Sequence, residues 1–348
     1  MGIIGTGTIS RFHMEAYRKL DNVQVIAACD INEERVGEFA REYNIPNVFT
    51  KYEDLLDMKE INAVSVTTWN VYHCPISIAA LKAGKNVLCE KPLAMNSGEA
   101  EMMVKTAGET GRILMVGFCT RYESPVVVLK DMIDRGDLGR IYYAKTSFIR
   151  RWGNPGGWFA DVGKSGGGPV IDLGVHALDI VRYLSGKPNA VAVSASVYNL
   201  IGRKPEIKGM GKYNPADSSG SDDVEDSAAA FIKFDNGMSL SFETSWVQNI
   251  KEDSFRVELY GDKAGAQLYP VLEIYEDRHD YLTQVNPVYT DYSKNGQFVF
   301  DEEIEHFTGS VSEGTECTCP GADGLEVMRI VDAIYESAKT GKEIYITR

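Results

Sequence analysis

Short apolar runs recur through the first third of the chain, separated by longer segments in which apolar residues return at helical spacing. Each run is only a few residues long and is bounded by polar or turn-forming residues, which is typical of strands buried on both faces. The runs lie at residues 23–29, 63–67, 86–90 and 113–117. This alternation of strand and helix predicts an α/β domain with a parallel, doubly wound sheet.

The second half of the chain changes period, because its apolar residues alternate with polar ones. Alternation is typical of half-exposed strands, and Asp235-Asn236-Gly237 between two of them is a hairpin signal. The predicted strands lie at 141–149, 191–198, 228–234, 238–246 and 255–260. They predict an α+β domain with a large, mostly antiparallel open sheet. Residues 199–227 are polar and acidic, and they predict a long surface insertion.

Composition and charge exclude several classes of protein. The chain has 348 residues, enough for about two domains, and 44% of its residues are hydrophobic. With 36 Lys and Arg against 50 Asp and Glu, the net charge is −14, which disfavours nucleic acid and anionic membranes as partners. No apolar run reaches the roughly 18 residues of a membrane span. Four of the six cysteines lie in apolar segments, which favours a cytoplasmic protein with reduced thiols.

The first candidate chemistry is a glycine turn at Gly5-Thr6-Gly7-Thr8-Ile9-Ser10, between a short strand and a helix. Glycines let the backbone approach a pyrophosphate, which the helix N-terminus stabilises with free N–H groups. The turn predicts a Rossmann domain that binds NAD, although Ser10 replaces the usual third glycine. We predict this NAD-binding domain over residues 1–121 and a substrate-binding and oligomerisation domain over residues 122–348. The first strand is short, as expected if the natural N-terminus lies further upstream.

Asp30 follows the apolar run at 23–29, about 20 residues after the glycine turn. An acidic residue at this distance accepts hydrogen bonds from the adenosine ribose and repels a 2′-phosphate, so NAD is favoured over NADP. The alternative is that Asp30 caps the helix that begins near Asn32. The two roles are compatible.

The turn after the strand at 63–67 would line the same crevice, because ligands bind at the carboxyl ends of parallel strands. Its predicted cofactor contacts are Thr67, Thr68, Trp69, Asn70 and His73. Taken alone, His73 is better explained by capping or packing than by catalysis.

A charged pair, Glu90-Lys91, ends the strand at 86–90 and is followed by Pro92. Proline stops the strand, and a lysine at this end of an open α/β sheet points toward the ligand crevice. We predict that Lys91 reaches the substrate and that both Glu90 and Lys91 lie beside the cofactor. The alternative is a solvated charge pair, because most charged residues are exposed. The Lys91–Pro92 bond is a candidate for the cis form.

A stripe of polar residues lies on an apolar helix predicted over 170–184. Asp172, His176 and Asp179 are spaced by four and three residues, so they share one helical face. Such a stripe is costly if it is buried without partners, and it therefore indicates either a binding site or a solvated helix edge. Asp179 fits the solvated edge best.

An aromatic loop follows the strand at 141–149 and holds paired arginines and two tryptophans. Aromatic faces beside hydrogen-bonding groups suit sugars, while an irregular packed loop is an equal alternative. The candidate substrate contacts here are Arg150 and Trp158. Arg121, after the last strand of the first domain, is a further candidate.

Taken in order along nearly the whole chain, these motifs resemble the Gfo/Idh/MocA oxidoreductases, the group of glucose–fructose oxidoreductase and inositol dehydrogenase. The matching stretches are Gly5-Thr6-Gly7, Asp30, 68–73, 83–92, Gly166-Gly167-Gly168, 172–176 and the helix at 326–341. Trp69 departs from the family pattern, which usually has proline there. The resemblance implies that Asp172 and His176 face the substrate next to Lys91.

The resemblance also implies the chemistry, which is NAD-dependent oxidation of a secondary hydroxyl in a sugar, sugar derivative or cyclic polyol, or the reverse reduction. His176 would take the hydroxyl proton, Lys91 would stabilise the developing alkoxide, and Asp172 would bind a neighbouring hydroxyl. No metal is expected. A homodimer or homotetramer through the second-domain sheet is expected.

Three alternatives remain open. A hydrolase or lyase could retain NAD and use transient oxidation of the sugar to labilise a glycosidic bond. An oxidoreductase could recycle one tightly held NAD between two sugars. A non-catalytic NAD-sensing protein ranks last, because Lys91, Asp172 and His176 are all present.

Overall fold

The computed structural model describes residues 1–201, 221–315 and 317–347. The chain divides into two compact units, Met1–Tyr122 with Ser293–Met328 and Glu123–Tyr292 with Arg329–Arg348. Residues 293–328 therefore pack with the first unit, whereas the sequence placed everything after residue 121 in the second. No helix within the described ranges is long and apolar enough to cross a membrane.

The first unit alternates strands and helices from its first residues. Its elements in chain order are β1 (Gly2–Ile4), α1 (Thr8–Tyr17), β2 (Ala27–Cys29), α2 (Glu33–Tyr43), β3 (Asn47–Phe49), α3 (Tyr52–Leu56), β4 (Ala63–Val66), α4 (Asn70–Lys82), β5 (Asn86–Glu90), α5 (Ser97–Thr110) and β6 (Leu114–Gly117). The six strands form one parallel sheet in the order β3-β2-β1-β4-β5-β6. This is the doubly wound order of a Rossmann domain, so the predicted fold is confirmed.

Burial explains why the first-unit strands read as continuous apolar runs. Every residue of β1, β2, β4, β5 and β6 is buried, and only the edge strand β3 is partly exposed. The strand predicted over residues 23–29 forms only over Ala27–Cys29, because its pairing with β1 begins at Ala27, opposite Gly2.

The second unit is built on a large sheet flanked by helices. Its elements are α6 (Ser124–Asp134), β7 (Ile141–Ile149), α7 (Val162–Ser165), α8 (Val175–Leu184), β8 (Ala190–Tyr198), β9 (Ser227–Phe234), β10 (Ser239–Ser245), β11 (Ser254–Gly261), β12 (Ala264–Gln267), β13 (Glu273–Arg278) and β14 (Tyr281–Val285). The chain ends with α9 (Gly296–Glu313), α10 (Gly321–Thr340) and β15 (Ile344–Tyr345). Shorter helical turns lie at Cys119–Tyr122, Gly157–Ala160 and Val170–Gly174.

In the described parts of the second unit, nine strands form a sheet in the order β14-β13-β12-β11-β7-β10-β9-β8-β15. The pair β7 and β10 is parallel, and the other neighbouring pairs are antiparallel. The predicted α+β domain with a mostly antiparallel sheet is thus confirmed.

The predicted surface insertion over residues 199–227 is wrong at its C-terminal end. Residues 202–220 lie outside the described ranges, but Val224, Glu225 and Asp226 are all buried. Their acidic side chains are held by hydrogen bonds inside the second unit, which removes the cost of burying them.

Candidate functional site

The glycine turn leaves an open helix N-terminus in the first unit. Gly5 has φ = +95°, and a Cβ there would lie 2.7 Å from the carbonyl oxygen of Thr67, so only glycine fits. A Cβ on Gly7 would meet nothing within 4 Å. Within the described chain no side chain caps α1, which leaves its first N–H groups available for a pyrophosphate. The residues present therefore fit a dinucleotide at this turn.

Two other residues of the glycine turn, Thr6 and Ser10, form hydrogen bonds within the first unit. The Ser10 hydroxyl donates to the Gly7 carbonyl at 2.7 Å, so the serine closes the first helical turn. Thr6 is buried, Ile9 is half-buried and Thr8 is exposed. Thr6 donates from both its amide N–H (2.8 Å) and its hydroxyl (3.0 Å) to Oδ2 of Asp30.

Asp30 is fixed as an ionised carboxylate at the end of β2. Its Oδ1 accepts from the Asn32 amide at 2.9 Å and from the Arg35 guanidinium at 2.7 Å. Burial alone would raise the pKa of Asp30, but hydrogen bonds from Arg35, Asn32 and Thr6 outweigh it and lower the pKa. The N-cap of α2 is Asn32, not Asp30, because the Asn32 side chain accepts from the Arg35 amide. The alternative role predicted for Asp30 is therefore wrong.

The turn after β4 divides into exposed and buried parts. Thr68 and Trp69 are half-buried, whereas Thr67 and Asn70 are buried. The Thr67 hydroxyl donates to the Gly5 carbonyl at 2.6 Å, which locks this turn to the glycine turn.

His73 is a structural residue rather than the predicted cofactor contact. Its side chain is buried, with Nδ1 2.7 Å from the Pro92 carbonyl oxygen and Nε2 3.1 Å from that of Thr68. Burial lowers the pKa of His73. The ring therefore ties the start of α4 to the segment after β5, as the packing alternative anticipated.

Glu90 and Lys91, at the end of β5, differ in how deeply they are buried. Lys91 is half-buried, and the Lys91–Pro92 bond is cis as predicted. Glu90 is buried, and its carboxylate accepts from the Lys91 amide at 3.1 Å and lies 2.8 Å from Nε2 of His13. These contacts place the Glu90 carboxylate in the interior of the unit, which does not support its predicted contact with the cofactor.

Arg121 is also placed differently from the prediction. Its side chain is 1% exposed, pairs with Asp323 at 2.9 Å and donates to the Thr318 carbonyl. A guanidinium buried in this way stabilises the first unit and is not presented to a substrate.

In the second unit, Asp172 and His176 stand out from a buried helix. Residues Val170–Gly174 form a wide, π-type turn that leads into α8. Asp172 and His176 are partly exposed, while the apolar residues of both segments are buried. Asp179 is 1% exposed, so its predicted place on a solvated edge is wrong.

Two buried residues hold the helical turn that carries Asp172. The indole Nε1 of Trp246 donates to Oδ2 of Asp172 at 2.9 Å. The Glu225 carboxylate accepts from the amides of Gly168 (2.9 Å) and Val170 (3.0 Å) and from the Tyr335 hydroxyl (3.0 Å). A Cβ on Gly168 would lie 2.2 Å from the Glu225 carbonyl oxygen, so glycine is required for this approach.

Sequence reasoning missed Glu225. It lies among other acidic residues in the segment taken for a surface insertion, and nothing local distinguishes it from them. Burial raises the pKa of Glu225 above its usual value despite the three hydrogen bonds that it accepts.

The aromatic loop is packed at its base, and its predicted contact with a sugar stays a prediction. Trp152 belongs to a buried cluster that also contains Trp246, and the loop residue Phe159 packs against this cluster. Trp158 is half-buried and stacks on Phe159 with ring centroids 3.9 Å apart, and Arg150 lies over the Phe148 ring at 5.6 Å. The base of the loop is therefore packed core, and Trp158 and Arg150 remain partly accessible.

The fold and the glycine turn define a dinucleotide-binding oxidoreductase with a Rossmann unit and an α+β unit. Residues 1–118 match the oxidoreductase family, NAD-binding Rossmann fold, and residues 130–347 match the C-terminal alpha/beta domain of the same family. The chain belongs to the Gfo/Idh/MocA oxidoreductase family, so the predicted resemblance is confirmed. Its cofactor is a nicotinamide dinucleotide.

Known relatives match over nearly the whole chain. D-glucoside 3-dehydrogenase of Escherichia coli K12 is 32% identical over 99% of this chain and 96% of its own length. Myo-inositol 2-dehydrogenase of Thermotoga maritima is 24% identical over 99% of this chain and 97% of its own. The structure of levoglucosan dehydrogenase with NADH has a TM-score of 0.86 at 25% identity, covering 100% of this chain and 98% of that one.

Proposed function

We propose that this protein is an NAD-dependent dehydrogenase that oxidises a secondary hydroxyl of a sugar, sugar derivative or cyclic polyol, or catalyses the reverse reduction. The observation that carries the proposal is Asp172, a partly exposed carboxylate oriented by the buried Trp246 indole, one helical turn before His176. A sugar hydroxyl needs such an acceptor beside the group that takes its proton.

Each catalytic side chain has one role in the proposal. The nicotinamide cofactor, when bound, accepts the hydride from the carbon that is oxidised. His176 takes the proton of the hydroxyl on that carbon, since neutral histidine is available near pH 7. Lys91 donates a hydrogen bond to the same oxygen and stabilises developing negative charge. Asp172 accepts from a neighbouring hydroxyl and orients the sugar.

NAD rather than NADP is proposed as the cofactor, with Asp30 as the acceptor for the ribose hydroxyls. Gly5, Gly7 and the start of α1 would hold the pyrophosphate, and Thr68 and Trp69 would lie along the dinucleotide. Trp158 and Arg150 are proposed as sugar contacts in the second unit. The six cysteines are free thiols, which supports a cytoplasmic location.

A glucoside oxidised at C3 is the first substrate to test. D-glucoside 3-dehydrogenase is 32% identical to this chain, and glucose-6-phosphate 3-dehydrogenase of Bacillus subtilis is 33% identical over 53% of it. Their names share the position of oxidation, although the second alignment covers only about half of the chain.

The test measures NADH formation with a panel of glucosides, hexoses, inositols and levoglucosan. Lys91→Ala and His176→Ala should each lower kcat at least about a hundredfold, the usual contribution of a general acid or base. Lys82→Ala and His279→Ala, at exposed positions, are the matched controls. Near wild-type turnover of both folded active-site variants on the best substrate would refute the assignment.

The same assay separates the alternatives. A dehydrogenase accumulates NADH in bulk solution in proportion to product. A hydrolase or lyase that retains NAD, or an enzyme that recycles it between two sugars, would form product without net NADH. A non-catalytic NAD-sensing protein would bind NAD and turn over none of the panel.

A further inference from the structure

Three ionisable side chains meet in the interior of the first unit. His13 lies on α1, Glu90 ends β5 and Glu303 lies on α9. A ring nitrogen of His13 and one carboxyl oxygen from each glutamate all lie within 4.8 Å of one another. His13 and Glu303 are 0% exposed and Glu90 is 6% exposed. Neither His13 nor Glu303 has a place in the proposed mechanism. Buried charge of this kind is costly unless it is paired or neutralised.

The hydrogen bonds around His13 can all be assigned in one direction, with donors pointing from Tyr17 toward Glu90. The Tyr17 hydroxyl lies 2.7 Å from Oγ of Ser65, and that Oγ lies 3.2 Å from Nδ1 of His13. Tyr17 can donate to Ser65, and Ser65 to Nδ1, which leaves the proton of a neutral ring on Nε2. Nε2 then donates to Oε1 of Glu90 at 2.8 Å. Every hydrogen is used once, and the Glu90 carboxyl group is the final acceptor.

Glu303 is left with nothing to accept from. Both of its carboxyl oxygens are buried without a hydrogen-bond partner among the described residues. A second buried carboxylate within 4.8 Å of Glu90 would be opposed by desolvation and by repulsion between the two groups. Burial first, and the Glu90 charge second, raise the pKa of Glu303 well above its usual value. A proton on Glu303 removes both costs and places a hydrogen-bond donor within 4.8 Å of the Glu90 carboxyl group.

We propose that Glu303 is a protonated carboxylic acid in the folded protein, and that with His13 it is a positioning residue that fixes Glu90 and, through it, Lys91. Oε2 of Glu90 accepts from the Lys91 amide at 3.1 Å, so the orientation of the Glu90 carboxylate bears directly on the backbone of Lys91. The positioning role rests on the proposed catalytic role of Lys91. The protonation of Glu303 does not depend on that role.

Three titratable neighbours of the cluster, Tyr17, Tyr122 and His73, keep their protonation state near neutral pH. Burial, followed by smaller electrostatic contributions that include Glu303, raises the pKa of both Tyr17 and Tyr122, so both remain neutral. Burial lowers the pKa of His73, on the other side of Glu90 and Lys91. A change in stability between mildly acidic and mildly alkaline pH that E303Q removes therefore does not come from these three side chains.

Glu303→Gln tests the protonation state, because glutamine has the shape of the protonated acid and cannot ionise. A group with a raised folded pKa stabilises the fold below its unfolded pKa, near 4.5, and loses that contribution as the pH rises toward the folded pKa. The melting temperature of the wild type should therefore fall relative to E303Q from about pH 5 to about pH 9. Glu305→Gln, at an exposed position of the same helix, should show no such trend.

Infrared spectroscopy tests the same point in the wild type. We expect the carbonyl stretch of a protonated carboxylic acid at neutral pH, and its loss in E303Q. Absence of this band, or wild-type stability that rises with pH relative to E303Q, would overturn the proposal. The same three side chains could instead hold a divalent cation, so stoichiometric metal in the purified protein, lost in E303Q, would also overturn it.

Kinetics test the positioning role. Glu303→Leu removes the donor at similar volume and should lower kcat about tenfold with little change in KM for NAD, whereas E303Q should restore turnover to within about twofold. Equal kcat for E303L and wild type would refute positioning. If Lys91→Ala also turns over normally, the proposed function fails instead, and the infrared and stability results still decide whether Glu303 is protonated.

Discussion

The indole N–H of Trp246 donates to Oδ2 of Asp172 at 2.9 Å, so a residue just after β10 orients an acid in the turn before α8. Trp246 directly follows β10 and is 0% exposed, whereas Asp172 is partly exposed. One carboxylate oxygen is thus held from the core side, and the carboxylate is restricted in rotation. A preorganised acceptor of this kind binds a hydroxyl with less loss of entropy than a mobile one.

Trp246→Phe should lower kcat/KM for the sugar about tenfold with KM for NAD unchanged. Loss of one hydrogen bond to a charged group is worth about 1.5–3 kcal/mol, and part of that stabilisation should appear in the transition state. Steady-state kinetics with both substrates provide the measurement. Trp152→Phe changes a second indole of the same cluster and should have a smaller effect on kcat/KM. Equal losses in the two variants would show that packing, not orientation of Asp172, is responsible.

Local pattern was sufficient to predict the parallel sheet, the glycine turn and the position of Asp30, because each depends on residues close together in sequence. It failed where a side chain is satisfied by a distant partner. His73 contacts Pro92, Glu90 contacts His13, and Arg121 pairs with Asp323. In each case a polar residue near a strand or helix end looks available for a ligand until the tertiary contact is known.

Replacing Asp30 should change the cofactor preference. Arg35 is bound to Asp30 at 2.7 and 3.1 Å, so Asp30→Ser removes the repulsion of a 2′-phosphate and frees a guanidinium to bind it. We expect kcat/KM to fall at least tenfold for NAD and to rise for NADP. Adding Arg35→Gln should abolish the gain with NADP. Glu33→Ser, at an exposed acid nearby, is the control, and an unchanged NAD to NADP ratio in D30S would contradict the role of Asp30.

Removing the Glu225 carboxylate should destabilise the turn that carries Asp172. Glu225→Ala leaves the amides of Gly168 and Val170 without their acceptor, at a cost of about 1–3 kcal/mol for each buried group. The apparent melting temperature should fall by about 5 °C or more, and kcat should fall with it. Asp223→Asn, at an exposed residue that accepts from the Val162 amide, should change neither by a comparable amount. Unchanged melting of a folded E225A would refute this role.

The outer face of the second-unit sheet predicts self-association. Phe231 on β9 and Lys145 on β7 both lie opposite Ser241 of β10, so they share one face of the sheet. Phe231 is 42% exposed. On the same face, the rings of Tyr143 and Tyr260 stack with centroids 5.5 Å apart, and the Lys145 ammonium lies 5.5 Å from the Tyr260 ring. Exposed aromatic rings on a broad sheet are enriched in protein interfaces.

We therefore expect a homodimer or homotetramer formed through this face. Phe231→Glu places a charge on this face and should shift the protein to monomer in size-exclusion chromatography with light scattering, because burying an unpaired carboxylate opposes association. Val48→Glu makes the same change at a residue of the first unit that is 44% exposed, and it should leave the mass unchanged. A monomeric wild type at about 50 µM, or a Phe231→Glu variant with wild-type mass, would exclude this face as the interface, since stable homo-oligomers persist at this concentration.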